Sequence, residues 1–240
     1  MNCNPRTALG LALIAASLTV GLVSARAEEP WQPCSAGQGD GVTLERRAVP
    51  GSKFYEYRAS AQTPAPPEAV LHGIWNGVTE QLPAMVKLRK VLSSSDIAMV
   101  FYDQLTTKVV SDRDYTLRIS WTRNPQTGVI EVPFSTMNEL GPPPAAGHVR
   151  VPIIRGDWII TPVTLNAAAG SDRSAPTAQG AQGAQGSLAT EITYLCYSEP
   201  GGSIPAFMAR GAQQEQVLID MRRILKRALQ AGANRPVTAH

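Results

Sequence analysis

The stretch Thr190-Glu191-Ile192-Thr193-Tyr194-Leu195-Cys196-Tyr197, continued by Ser198-Glu199-Pro200-Gly201-Gly202-Ser203-Ile204-Pro205, decides the fold. Its first half alternates in the period of a half-buried strand, with Ile192, Tyr194 and Cys196 on one face. The Pro-Gly-Gly turn ends that strand. Beyond it Ile204, Phe207, Met208, Gly211, Leu218, Met221, Leu225 and Ala228 recur at helical steps, which predicts one long amphipathic helix. Arriving last, this helix must lie across whatever the earlier strands have built. On a curved sheet its apolar stripe either closes a core or roofs a cavity.

Working back towards the N-terminus, strand patterns dominate. Arg113 to Trp121 sets Tyr115, Leu117, Ile119 and Trp121 against Thr116, Arg118 and Ser120. Val129 to Met137 carries Ile130, Val132 and Phe134 on one face. Val149 to Val163 reads as a long strand interrupted at Gly156-Asp157, with Trp158 and Ile160 aligned. Met85 to Leu92 and Ile97 to Leu105 are two more strands, the second with Met99 and Phe101 inward. Asp103 shares their parity, so it is either an inward carboxylate or a solvated residue past the regular strand. Val42 to Arg47 and Lys53 to Ala59 form a hairpin around Pro50-Gly51-Ser52. A short helix with Val70, Leu71, Ile74 and Trp75 follows, and Trp31 to Asp40 is a helical or irregular lead-in. Strands in series closed by a helix define an α+β fold with the helix on the concave face of an antiparallel sheet.

Outside this body the composition changes. Arg6, the apolar run Ala8 to Val23 and Ala25-Arg26-Ala27 have the order of a secretory leader, so residues 1–27 read as a signal peptide cleaved near Ala27. The mature protein is then expected outside the cytoplasm, periplasmic or secreted. The 22 basic and 19 acidic residues come close to balance once Arg6 and Arg26 are removed, which argues against nucleic acid as a partner. Cys34 and Cys196 would sit in an oxidising compartment, either bridged or with Cys196 as a small apolar core residue. Residues 166–187, with Ala-Gln-Gly three times over, read as a flexible low-complexity insertion, and 231–240 as a disordered tail. One domain spans 28–230. His72, His148 and His240 complete the histidines, and there is no nucleophile elbow, HExxH or paired CxxC. No catalytic residue, metal or cofactor is expected.

Five segments in order resemble the START lipid-binding domain: Ser111-Asp112-Arg113-Asp114-Tyr115, Val149-Arg150-Val151-Pro152, Gly156-Asp157-Trp158-Ile159-Ile160-Thr161-Pro162, Thr190 to Tyr194, and Pro200 to Pro205. The resemblance covers Trp31 to Leu229. It implies a helix-grip fold, with a curved antiparallel sheet around the last helix and a hydrophobic tunnel between them. It also implies a single bound lipid, sterol or phospholipid, carried by a monomer that meets membranes transiently. The tunnel would be lined from the sheet by Met99, Phe101, Tyr115, Leu117, Ile119, Trp121, Phe134, Trp158, Ile192 and Tyr194. From the helix it would be lined by Phe207, Met208, Leu218 and Met221, with Asp103 as a polar contact. The wider superfamily also contains cyclase- and hydrolase-like enzymes acting on hydrophobic substrates, which is the alternative. Arg113 and Asp114 read as a structural ion pair or a turn-forming pair, and Arg118 as solvated.

Overall fold

The computed structural model describes residues 29–34, 40–80, 82–107, 110–165 and 187–233. The expected leader, the insertion up to residue 186 and the tail from residue 234 lie outside these.

A two-residue strand β1 (Gln32–Pro33) precedes the hairpin β2 (Val42–Ala48) and β3 (Tyr55–Thr63), and helix α1 (Pro67–Trp75) follows. Then come β4 (Val86–Ser94), β5 (Ala98–Leu105), β6 (Arg113–Ser120), β7 (Thr122–Arg123) and β8 (Ile130–Thr136). β9 (Val149–Arg150), β10 (Ile153–Leu165), β11 (Ser187–Glu199) and helix α2 (Ala206–Ala233) complete the order. The strands make one curved sheet, β1-β2-β3-β11-β10-β8-β6-β5-β4, with β7 against β8 and β9 against β6. The short β6–β9 pairing is parallel, and the main path is antiparallel. This is the expected α+β helix-grip arrangement.

α2 is anchored along its whole length. Met221, Ile224 and Ala228 share one buried cluster with Val70 and Ile74 of α1 and Ile160 and Ile192 of the sheet. Full burial of a side chain of that size stabilises by roughly 1.5–3 kcal/mol. The two helices approach closely, since a Cβ on Gly73 would stand 3.2 Å from Arg227 Cβ. At its other end the Tyr57 hydroxyl donates to the Arg210 carbonyl at 3.0 Å, and Arg210 Nε donates to the Lys53 carbonyl at 2.7 Å.

Several expected boundaries change. The lead-in contains the edge strand β1 in place of helix, because Trp31 is held between two guanidiniums, its ring 4.6 Å from Arg47 and 4.5 Å from Arg58. Ser187 opens β11, and α2 continues three residues past 230 to Ala233. The break expected at Gly156-Asp157 falls earlier, at Val151-Pro152, and β10 runs straight through the glycine. Gly156 serves close packing instead: a Cβ there would lie 2.0 Å from the Leu195 carbonyl oxygen and 2.4 Å from the Phe134 ring. Only a bare backbone lets that ring fold over β10.

The sheet's outer face is covered at one end, where Tyr102, Asp114 and Thr116 are buried. Asp114 accepts hydrogen bonds from Arg150 Nε (2.8 Å), the Tyr102 hydroxyl (2.9 Å) and the Ala145 N–H (2.7 Å). Its ion-pair partner is therefore Arg150 and not the expected Arg113, whose Nη1 donates to the Ser111 carbonyl.

Two glycine substitutions separate packing from flexibility. Gly156→Ala is expected to destabilise by more than about 3 kcal/mol, because backbone has to move. Gly211→Ala, on an open stretch of α2 with nothing within 4 Å, should stabilise by roughly 0.5–1 kcal/mol. Urea midpoints of the two variants check both signs.

Candidate functional site

Alternate residues of a strand face the same side, so the concave face collects side chains from strands far apart in sequence. Phe101 of β5, Tyr115 and Leu117 of β6, Phe134 of β8, and Tyr194 and Cys196 of β11 together wall a chamber of about 380 Å³ beneath α2. That lies within the roughly 300–1,000 Å³ of small-molecule sites. A pocket of about 150 Å³ adjoins it, sharing Phe101, Leu117, Phe134 and Tyr194 and adding Ile119 and Trp158. Trp158 and Tyr194 are stacked, centroids 3.8 Å apart and planes 7° from parallel. Pro83, Met85, Thr107, Val110, Pro200 and Ile204 line the chamber at one end of the sheet. Met85 is also 39% exposed, so the chamber reaches the surface there.

The structure divides the residues expected to line a tunnel. Phe101, Tyr115, Leu117, Ile119, Phe134, Trp158 and Tyr194 stand on the walls of the chamber or its side pocket. Met99, Ile192, Leu218 and Met221 are buried in the core away from both. Trp121 is half-buried at the end of β6, its indole N–H donating to the Asp96 carbonyl at 2.9 Å. Phe207 and Met208 are not lining residues at all: they are 75% and 39% exposed in the first turn of α2.

The corrections on α2 have one cause. Its apolar stripe through Leu218, Met221 and Ala228 packs into the core shared with α1, and not over the chamber. The chamber instead meets Gln213, Gln216, Asp220 and Arg223, about 100° round the helix, with Ala209, Ala212 and Val217 among them. These recur at three- and four-residue steps beside the apolar stripe. A polar stripe at that spacing ordinarily reads as a solvated face, which is why the sequence alone passes over it.

Asp103 is inward and fully buried, yet it does not reach the chamber surface. Arg89 takes both of its oxygens, Nε to Oδ1 at 2.6 Å and Nη2 to Oδ2 at 2.5 Å, and the Tyr115 hydroxyl donates to Oδ2 at 3.0 Å. Arg89 Nη1 donates to the Val78 carbonyl at 2.7 Å. Facing this closed cluster, Asp220 Oδ1 accepts from Gln216 Nε2 at 3.0 Å and from Arg223. Burial pushes the Asp220 carboxyl up to about 6, against the pull of Arg223 and Gln216. Burial, with the Asp103 carboxylate beside it, holds the Tyr115 hydroxyl well above its ordinary value. Burial also takes the Cys196 thiol up to about 12.

Cys34 and Cys196 are both free thiols, so the bridge considered from sequence is absent. Cys34 sits beside β2, with its N–H on the Leu44 carbonyl, and β3 separates that strand from β11. Among the described residues no three His, Cys, Asp or Glu side chains gather as metal ligands.

A curved sheet, a gripped C-terminal helix and a chamber between them define the START-like helix-grip fold. A STAR-related lipid transfer protein from Xanthomonas axonopodis has this fold, with a TM-score of 0.63 and 22% identity over 83% of this chain and 99% of that one. Human STARD10 superposes with a TM-score of 0.57 and 17% identity, covering 83% of this chain and 73% of that one. Human StAR-related lipid transfer protein 5 gives 0.56 and 16%, covering 85% and 86%. No protein-family model matches the chain, and no curated protein sequence matches it.

The raised Asp220 sets the sign of a pH effect. A carboxyl with a higher pKa folded than unfolded costs stability once it ionises, so the cost is complete above about pH 6 and relieved towards pH 4. Asp157, lifted to about 6 by burial, acts in the same direction. The unfolding temperature of the empty protein is therefore expected to rise from pH 7 to pH 5. Asp220→Asn should remove a substantial part of that rise, up to about 1.3 kcal/mol, and calorimetry at the two pH values measures it.

Proposed function

We propose that this protein binds one hydrophobic lipid in the chamber and carries or presents it outside the cytoplasm. The observation that carries this reading is the chamber itself, walled by aromatic and aliphatic side chains and closed by a helix anchored at both ends. Each CH₂ withdrawn from water contributes roughly 0.8 kcal/mol, so a chain or ring system needs few polar contacts. The fold shared with lipid-transfer proteins supports the same reading. The leader-like residues 1–27 support export.

The rim supports a membrane contact. Phe207 and Met208 project from the first turn of α2, close in sequence to Ile204 on the chamber wall. Leu82 is exposed on the segment leading to Met85. We assign these side chains to transient insertion among lipid headgroups while the ligand passes.

A second reading, an enzyme acting on a hydrophobic substrate, is favoured by one observation. A carboxyl near 6 inside an apolar chamber suits general acid or base work, and Asp220 is such a group. Turnover of a bound molecule that disappears in Asp220→Asn would put that reading first.

Native mass spectrometry of protein from its own host should show one lipid per chain and a mature N-terminus near Glu28. Leu117→Trp, filling the junction of chamber and side pocket, should abolish the adduct while circular dichroism stays unchanged. Phe207→Glu should leave the adduct intact and slow transfer between vesicles several-fold. An empty wild-type protein would sink the carrier reading.

A further inference from the structure

Two polar clusters enter the chamber wall, and beside them Arg113 Nε and Gln213 Oε1 are buried without a partner. Asp103 is closed off by Arg89 and Tyr115, and the third arm of Arg89 is on the Val78 carbonyl. Arg223 gives Nη2 to Asp220, and its Nε is buried without a partner. Asp220 differs. Both donors it receives, from Gln216 and Arg223, go to Oδ1, and no described residue donates to Oδ2. The side chain keeps 16% of its surface, and it lines both the chamber and the side pocket. An acceptor is thus presented to an apolar interior at the junction of the two spaces, on the helix that roofs them.

Resting on the lipid-binding reading, we propose that the ligand is an amphiphile with a neutral hydroxyl that donates a hydrogen bond to Asp220 Oδ2. The alternatives fail on charge. An ammonium head would enter against Arg89, Arg223 and Arg227, all of which act on Asp220. An ionised carboxylate brings acceptors alone and would meet Oδ2 with like charge. An ether or ester also has nothing to donate. A hydroxyl supplies the missing donor without adding charge to paired ions, and a hydrogen bond to an ionised group is the stronger kind. Because Asp220 belongs to α2, the bond would also tie the ligand to the roof instead of the sheet.

The test compares four heads on one chain: dodecan-1-ol, dodecyl methyl ether, dodecanoate and dodecylammonium, each displacing a fluorescent apolar dye from the full protein at pH 7.5. The alcohol is expected to bind at least about tenfold tighter than the ether, with dodecanoate and dodecylammonium no better than the ether. In Asp220→Leu/Arg223→Met, which removes both members of the ion pair together, the alcohol-to-ether ratio should fall to about one. Thermal unfolding of that variant confirms that it is folded, and Asp220→Ala serves as a second variant for the same ratio. Equal binding of alcohol and ether by the wild type, tighter binding of dodecanoate, or an alcohol preference that survives both variants would overturn this proposal alone. Failure of the dye and all four probes to bind would overturn the lipid-binding reading beneath it.

Discussion

The packing of α2 against α1 and the sheet, through Met221, Ile224 and Ala228, fixes the rotation of the helix about its axis. Everything in the chamber follows from that rotation. Once the apolar stripe is committed to the core, the next face round the helix is the one that looks into the tunnel, and it carries Gln213, Gln216, Asp220 and Arg223. A roof with no second helix beneath its stripe would have been greasy. This one brings ions into an apolar space, where each must find a partner or shift its pKa.

The sheet solves the same problem in a different way. Asp103 on β5 enters the interior with its full complement of donors, from Arg89 on the neighbouring β4 and Tyr115 on β6. Three adjacent strands hold that cluster, so it is a rigid part of the wall. The lid cluster belongs to one helix and is completed only at Oδ1 of Asp220. The contrast between a closed cluster and an open one turns a uniform apolar cavity into one with a direction, its open acceptor standing at the junction with the side pocket.

Chemical reactivity is damped elsewhere in the chamber. The Cys196 thiol and the Tyr115 and Tyr194 hydroxyls are all held in their neutral forms by burial. Access comes at the end where Met85 and Ile204 meet the surface, next to the exposed Phe207. The Phe134 ring approaches β10 this closely only because residue 156 is glycine, so the absence of one Cβ shapes the aromatic wall.

From the sequence alone, the period of two in β5, β6, β8 and β11 and the helical period after Pro205 determined an α+β fold with the last helix on the sheet, and the START-like segments implied its helix-grip form. The same parity put Phe101, Leu117, Ile119, Phe134, Trp158 and Tyr194 on the inner face, because strand geometry leaves an inward side chain nowhere else to point. Parity left Asp103 either inward or solvated; the structure buries it, and the donor that meets it is Arg89, a residue fourteen positions away on another strand. The roles of Phe207, Met208, Leu218 and Met221 were open for a related reason. Periodicity shows that a helix has an apolar stripe, and only the position of α1 decides whether that stripe covers the cavity or the core. Tertiary packing alone therefore selected Asp220, since a charged residue beside an apolar stripe has the same local sequence whether it faces water or a tunnel.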